Sequence, residues 1–538
     1  MKLFKNKKIS YAIIILIVLL PIYFMAIDHY FSGDEVITYS MANCDTAGFV
    51  FSDGKITRYM KNEVFGGSFS DVTRNLSALA KDVVTNGRQA EILSYPRDSE
   101  VHLYTQEEMI DWQAKRPDER FDFYNTWVQS LSDDGNAWFY ESLVNLISSI
   151  FVKSSSSKWM AFIVNYLFYL LSLLVLNKIG IEFGNSFEQN VVSIVGYGVW
   201  SITLKTVTNL RAYAVASLFC LLLVYYALLI QRCVADDRKV PFSYYVKFVI
   251  TYAIGFVSHY TIGAALTTYG LVLVVLMLFF YKKNVTSIIA TGVVALLSGI
   301  ALAPDSIIGL LFEYSNKGAN AMPRSMYIFI LMALVPFIFC IIAIIRNKDL
   351  ARDSLIYATM STLLGLLMIM YGTNGIGYGK ILFPISYFVF VSLIFKLLDR
   401  YAYKAQRGIV LCGLILFATF SIFSAYADKM SANREVEEKQ IVLEANRTST
   451  CIYFRQHARG YKDAVLLMDY FERAQTINVD TENWQDLVEY DGADSEIICY
   501  FTDESECAKA WEFVNSLGYN SIESIFDNDD THIYMVSK

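Results

Sequence analysis

Repeated apolar segments of about 18 residues or more constrain this chain most strongly, because each is long enough to cross a bilayer as a helix. The chain has 538 residues, of which 55% are hydrophobic and only 18% charged, and its mean hydropathy is +0.37. A soluble domain of this size carries more charge. The sequence therefore predicts a polytopic α-helical membrane protein with about eleven spans. The candidate spans are 9–27, 159–178, 188–205, 211–231, 243–258, 260–281, 285–303, 326–346, 354–371, 380–398 and 407–426.

The chain begins MKLFKNKKISYAIIILIVLLPIYFMAI, a basic start followed by an apolar run. A signal peptide begins in the same way, but it has a shorter apolar core and a small-x-small cleavage site. The run here is longer, and no such site follows it. We therefore expect an uncleaved first transmembrane helix over 1–27, with its basic end in the cytoplasm.

Loop charge orients the remaining spans. The loops 231–240, 281–284, 345–353 and 399–407 are rich in Lys and Arg, and they alternate with loops that are poor in them. Basic loops favour the cytoplasmic side. All four reach that side only if the ambiguous apolar run 137–152 does not cross, so we interpret it as an interfacial or half-inserted helix. The pattern predicts a plasma-membrane protein with a cytoplasmic N-terminus and an outer C-terminus.

This orientation divides the chain into four parts. After the first helix, 28–136 is an extracytoplasmic loop with interfacial helices, 137–426 is the multi-span membrane domain, and 427–538 is a soluble extracytoplasmic domain. Most of the acidic residues, within a net charge of −7, fall in the two polar blocks. Neither block has the basic surface that nucleic-acid binding requires.

Each polar block carries patterns of regular structure. In the outer loop, 105–116 predicts an amphipathic helix capped by Thr105, which lies either on the membrane surface or against the membrane domain. In the last block, strand-like 451–456, 495–503 and 531–538 and a helical 505–520 predict a small α/β domain.

Two cysteines of the last block are close in the predicted sheet. Cys451 and Cys499 begin neighbouring predicted strands. They form either a disulfide, in an oxidising compartment, or two buried free thiols. The eight cysteines of the chain show no zinc-binding spacing, so no metal site is predicted from them.

Two adjacent acids, Asp34 and Glu35, follow the first span in FSGDEVITYS. Carboxylates this near a bilayer cost free energy unless they are solvated or paired. They are either a helix-end pair facing water or a catalytic pair, in which a carboxylate takes the proton of an acceptor hydroxyl or amine. Hard divalent cations also prefer oxygen ligands, so the pair offers a possible cation site.

Three further polar positions begin helices or turns on the same predicted face. Arg211 in NLRAYAVASL is a cation where the positive-inside rule disfavours one, so it either snorkels to headgroups or binds a phosphate. Lys380 follows a glycine-rich loop in GIGYGKILFP, which is either a flexible turn or an anion-binding one. His259 in FVSHYTIG is either a structural histidine or a site residue.

Together these residues suit a lipid-linked phosphate. Cations on the outer face would neutralise a phosphate leaving group while its isoprenoid tail lies between helices. A carboxylate would activate the acceptor, and direct displacement would invert the sugar's configuration. The sequence thus favours a glycosyltransferase that uses a polyprenyl-phosphate sugar and needs no cofactor.

The order of these motifs resembles the GT-C membrane glycosyltransferases, in the branch of protein O-mannosyltransferases and aminoarabinose transferases. GDEVITYSMAN matches the family's first-loop acidic pair and later Tyr, with Tyr39 in that place. LRAYAVASL and SHYTIGAAL match two later helix starts, the first with Arg211 and Tyr213. Two motifs depart from the pattern: DDGNAWFYESLVNL lacks His-Pro-Pro, and GKILFP carries Lys380 where the family has Arg.

The resemblance covers about 30–400 and implies a GT-C-like fold and specific roles. Asp34 would be the general base, with Glu35 beside it. Arg211 and Lys380 would meet the lipid phosphate, with Tyr39, Tyr213 and His259 also in the substrate site. The acceptor, a cell-envelope glycan, a lipid or a protein, stays open. Two other functions remain alternatives, namely a transporter or flippase for the same lipid and a non-catalytic membrane scaffold.

Overall fold

The computed structural model describes residues 7–28, 31–43, 59–64, 68–86, 89–94, 103–107, 114–132, 138–152, 157–303, 324–372, 378–400, 404–455, 469–478, 484–501, 504–528 and 531–538. Most of these residues are helical. The helices of the first half are α1 (Lys7–Ala26), α2 (Gly33–Asn43), α3 (Phe69–Asn86), α4 (Glu91–Ser94), α5 (Phe123–Ser132), α6 (Phe139–Ile150), α7 (Trp159–Glu182), α8 (Phe187–Val199), α9 (Ser201–Thr208) and α10 (Tyr213–Ala235). Those of the second half are α11 (Phe242–Phe256), α12 (Ile262–Leu276), α13 (Val285–Leu302), α14 (Arg324–Arg346), α15 (Ser354–Gly372), α16 (Phe383–Arg400), α17 (Lys404–Ala445) and α18 (Glu504–Ser516).

Each predicted span falls on a helix, or in one case on a bent pair of helices. Within the described residues, five helices are long and apolar enough to cross a membrane, and the pair α8–α9, bent by 58°, makes a sixth if it counts as one span. Helices of this length and composition indicate an integral membrane protein. Three shorter apolar helices follow later in the chain. The count of about eleven crossings stays a prediction.

Helix α6 occupies the ambiguous run 137–152. It has 12 residues, and at 1.5 Å per residue it is about 18 Å long, too short to cross a hydrocarbon core of about 30 Å. The length agrees with the interpretation as an interfacial or half-inserted helix. Its polar side is turned inward, since Glu141, Asn145, Ser148 and Ser149 are all buried.

Three of the four loops predicted to be cytoplasmic meet at one end of the bundle. The Gln231 amide nitrogen donates to the Tyr281 hydroxyl (3.2 Å) and to the Ala351 carbonyl (3.3 Å), which joins three of these loops. Lys283 pairs with Asp237. These basic loops therefore come together as the loop-charge pattern predicts, while the side of the membrane on which they lie stays a prediction.

Among the described residues, five strands of the last block and one strand of the outer loop form a six-stranded sheet. Its strands are β1 (Leu103–Thr105), β2 (Thr450–Arg455), β3 (Arg473–Asn478), β4 (Glu496–Phe501), β5 (Ser521–Asn528) and β6 (Thr531–Ser537), in the order β1-β3-β2-β4-β6-β5. Strands β3, β2 and β4 are parallel, and the other neighbours are antiparallel. The predicted strands at 451–456, 495–503 and 531–538 and the helix at 505–520 agree with β2, β4, β6 and α18. Strands β3 and β5 were not predicted.

Strand β1 comes from the outer loop and joins this sheet. Leu103 pairs with Gln475 and Thr105 with Arg473, so the two predicted outer blocks lie on the same side of the bundle. The predicted helix 105–116 agrees with the structure at residues 106–107, which are helical, but Thr105 ends a strand and 114–116 is not helical. The ladder bonds of β3 compete successfully with the weak local helix signal. Residues 108–113 of that prediction lie outside the described residues.

The register of β2 and β4 decides the state of the two cysteines. Cys451 is opposite Ile498, and Cys499 is opposite Ile452. Cys451 and Cys499 are thus one position out of step and point to opposite faces of the sheet, each into a separate core. A disulfide needs side chains that face each other, so both are buried thiols with no disulfide between them.

Candidate functional site

Glu35 ties helix α2 to the membrane bundle. One carboxylate oxygen (Oε2) accepts the backbone amide of Ser32 at 2.7 Å, and the other (Oε1) accepts the backbone amide of Leu210 at 3.0 Å. The residue is 3% exposed. Because both oxygens are engaged, Glu35 fixes the start of α2 and the segment just before α10. Asp34 lies in the same first turn of α2, and its side chain lies outside the described residues.

Arg211 follows the residue that Glu35 holds. It lies in the short non-helical joint between α9 and α10, where its amide donates to the Asn209 carbonyl at 2.8 Å. Its guanidinium Nη1 donates to the Thr38 hydroxyl at 3.3 Å. The Arg211 side chain therefore links the joint before α10 to Thr38, which lies about one helical turn after the acidic pair in α2.

His259 lies in the corner between α11 and α12. Its Nδ1 accepts the backbone amide of Thr261 at 3.3 Å, which leaves the ring proton on Nε2. Burial lowers the pKa of His259, and the nearby charges of Arg211 and Lys380 lower it further. The ring is therefore a neutral imidazole at physiological pH, with Nε2–H as its donor.

Lys380 reaches the same corner from a 3₁₀ turn, Tyr378–Ile381. Its ammonium lies over the ring of Tyr213, 3.3 Å from the centroid, a cation–π contact. The centroid of the His259 ring lies 5.6 Å from that of the Tyr213 ring and 5.3 Å from that of the Tyr378 ring. Aromatic rings thus hold the lysine and the histidine in one place.

A small cavity of about 30 Å³ lies among these groups. Its lining includes Glu141, Arg211, Tyr213, His259, Tyr260 and Tyr378.

Glu141 is a charged lining residue that the sequence did not predict. It is 3% exposed and belongs to the buried polar side of α6. The positions 141, 145, 148 and 149 recur at helical spacing within an otherwise apolar run. That stripe is the signal from which an inward-facing polar face could be predicted.

Tyr39 does not line this cavity. Its hydroxyl donates to the Ser157 carbonyl at 2.6 Å and accepts the Ala161 amide at 3.1 Å, and the residue is fully buried. The bonds secure α2 against the start of α7. Tyr39 therefore fixes the position of α2 relative to α7.

A larger cavity of about 320 Å³ lies on another side of Glu35. It is bounded by the end of α1, the start of α2, the end of α9 and the middle of α17. Its charged lining residues are Asp28, Glu35, Lys205, Asp428, Lys429 and Glu435. Glu35 lines this larger cavity. Its hydrogen-bond partner Leu210 immediately precedes Arg211, which lines the small cavity.

The structure therefore brings together four of the seven predicted site residues, namely Arg211, Tyr213, His259 and Lys380, while Glu35 lines the larger cavity and contacts the residue before Arg211. Tyr39 packs behind them, and Asp34 is adjacent in sequence to Glu35. Among the described residues no group of three or more His, Cys, Asp and Glu side chains has the arrangement of a metal site. A divalent cation at Asp34 and Glu35 stays a prediction, because the Asp34 side chain is outside that search.

Comparison with protein-family models and with curated proteins finds no match for this chain.

Proposed function

We propose that this protein is a membrane glycosyltransferase that moves a sugar from a polyprenyl-phosphate donor to an acceptor on the outer face of the plasma membrane. The observation that carries the proposal is the convergence of Arg211 and Lys380 on the neutral imidazole of His259. Two cations gathered at the end of an apolar bundle favour an anion that is attached to lipid.

The three groups offer complementary contacts to a phosphate. The Arg211 guanidinium supplies forked donors, and Lys380 supplies a compact charge. His259 adds one N–H donor, and its neutrality avoids a third charge beside the other two. These donors stabilise the negative charge that develops on the phosphate as it leaves.

The proposed reaction is a single displacement. The acceptor oxygen or nitrogen attacks the anomeric carbon, and the bond from that carbon to the phosphate oxygen breaks. The electron pair leaves with the polyprenyl phosphate, and the acceptor's proton passes to Asp34. Attack from the face opposite the leaving group inverts the anomeric configuration. Glu35, whose oxygens already accept two amides, positions Leu210 and the following Arg211.

A second candidate function is supported by the bent pair α8–α9. Trp200 has extended backbone angles (φ −66°, ψ 132°) that interrupt the helix, and the second half leads directly to the joint that carries Arg211. Interrupted spans beside a polar site are typical of transporters. A flippase for the same lipid would use the cations to hold its phosphate but would need no base.

The test is sugar transfer in membranes that contain the full chain. The donor is a radiolabelled polyprenyl-phosphate sugar, and the variants are Asp34→Asn, Arg211→Gln and Glu141→Gln. We expect Asp34→Asn to abolish transfer and Arg211→Gln to reduce it at least tenfold, with Glu141→Gln testing the carboxylate that lines the cavity.

Arg232→Gln is the matched control. Arg232 lies near the end of α10, the helix that begins just after Arg211, and it pairs with Glu182. It should retain transfer. If Asp34→Asn transfers sugar at the wild-type rate, the enzyme proposal fails. Wild-type movement of the lipid across vesicles without any transfer would support the flippase. Absence of both activities in the wild type, with a cellular phenotype that Asp34→Asn leaves unchanged, would support the scaffold.

A further inference from the structure

Four charged side chains form a series of ion pairs with alternating charge, which we call the charge chain: Lys429, Asp28, Lys158 and Glu35. Lys429 pairs with Asp28 Oδ2. Lys158 Nζ lies 2.9 Å from Asp28 Oδ1 and 3.6 Å from Glu35 Oε2. The chain carries no net charge, and it links α17, the end of α1, the start of α7 and α2.

Burial makes this arrangement consequential. The side chains of Lys158 and Asp28 are 7% and 6% exposed, and that of Lys429 is 21% exposed. A buried ion pair is sensitive to loss of one partner, because the remaining charge is left uncompensated. Each member therefore depends on its neighbours being in place.

The same helix α17 carries the β-sheet domain, which also holds α2 directly. Ile37 of α2 packs against a core formed by the sheet and α17, in which Leu443 is fully buried. The Asn433 amide nitrogen donates to the Ile27 carbonyl at 2.6 Å. Contacts from α17 and the sheet thus reach Ile27 and Ile37, the residues on either side of Asp28 and Glu35.

We infer that seating of α17, through Lys429, positions the candidate site. Lys429 orients Asp28, Asp28 holds Lys158, and Lys158 supports the Glu35 carboxylate that fixes the amide of Leu210. Arg211 comes next in the chain. The C-terminal domain would then act as a clamp, with Lys429, Asp28 and Lys158 as positioning residues. The consequence for sugar transfer rests on the proposed function.

The test measures backbone hydrogen exchange in the full-length protein in lipid nanodiscs. The measured quantity is exchange of peptides covering 31–43 and 205–213, divided by exchange of a peptide within α12. We expect Lys429→Gln to raise this ratio about tenfold or more, because the buried carboxylate of Asp28 loses a partner. Lys429→Arg keeps the charge and should restore most of the protection.

Asp428→Asn is the matched control. Asp428 is the preceding residue of α17 and pairs with Lys205, but both side chains are about half exposed, at 52% and 50%. Exposed pairs contribute little, so the ratio should stay within about twofold of wild type. A ratio for Lys429→Gln equal to that of Asp428→Asn, or exchange that rises equally in α12, would overturn the inference.

Transfer assays on the same variants separate the two proposals. An exchange response to Lys429→Gln without transfer by the wild type removes the proposed function and leaves the clamp. Transfer by the wild type, with no exchange response, removes the clamp and leaves the function. If both hold, Lys429→Gln should lower kcat while Lys429→Arg recovers it.

Discussion

Replacing Lys158 with methionine tests the energetics of the charge chain most directly. The substitution keeps much of the side-chain length and removes the charge, so Asp28 and Glu35 lose the cation between them. In an effective dielectric of about 20, each of these attractions is on the order of 5 kcal/mol at the observed distances. Desolvation of the lysine offsets much of this gain. Measured losses for broken buried pairs are roughly 3–5 kcal/mol, and we expect Lys158→Met to fall in that range.

The assay is reversible unfolding of the full chain in mixed micelles, followed by helical circular dichroism, with wild type and variant compared at the same lipid ratio. Lys205→Met is the control, because the half-exposed pair with Asp428 should contribute only about 0–1 kcal/mol. Lys158→Arg keeps the charge and should retain more stability than Lys158→Met.

A Lys158→Met variant within about 1 kcal/mol of wild type would refute this reasoning, because a loss that small is typical of exposed pairs. A loss for Lys158→Arg as large as that for Lys158→Met would indicate that packing of the lysine stem matters more than its charge.

Three further outcomes are expected. Lys380→Gln should weaken binding of a polyprenyl-phosphate analogue about tenfold or more, measured as Kd in nanodiscs, because a charged donor to the phosphate is lost, whereas Lys380→Arg should bind nearly as well as wild type. Alkylation of the denatured protein without reductant should modify both Cys451 and Cys499, and a mass that changes with reductant would contradict their separation by the sheet. Burial tends to raise the pKa of Asp494, but hydroxyl donors led by Thr450 leave this pKa below its usual value. The ionised carboxylate therefore stabilises the fold. This stabilisation is fully present above the pKa of the unfolded state and is lost as the pH falls through the lower pKa of the folded state. Hydrogen exchange in β2 and β4 should therefore increase below about pH 4, and Asp494→Asn should remove that dependence.

Much of the membrane part was predictable, because apolar runs and basic loops are local signals. The run 159–178 became α7, and the basic loops 231–240 and 281–284 met at one end of the bundle. The grouping of Arg211 and His259 followed from assigning their loops to one face. These predictions needed only the length of each span and the alternation of loop charge.

The remaining features depend on partners far away in the chain. Glu35 looked like a catalytic acid, but its role as an acceptor for the Leu210 amide depends on how α2 packs. Strand β1 has three residues, too few to give a period-2 pattern, and only its ladder with β3 defines it. Glu141 lay in a run chosen for its hydrophobicity, so its inward polar stripe was overlooked.

The pairing of Leu103 with Gln475 has a consequence for biosynthesis. Strand β1 is made early, whereas its neighbour β3 is synthesised only after every helix of the membrane part. Until then the outer loop has no ladder to join. Contacts this distant in sequence form late, so the nascent protein should insert its helices first and acquire an ordered outer pocket only as synthesis finishes.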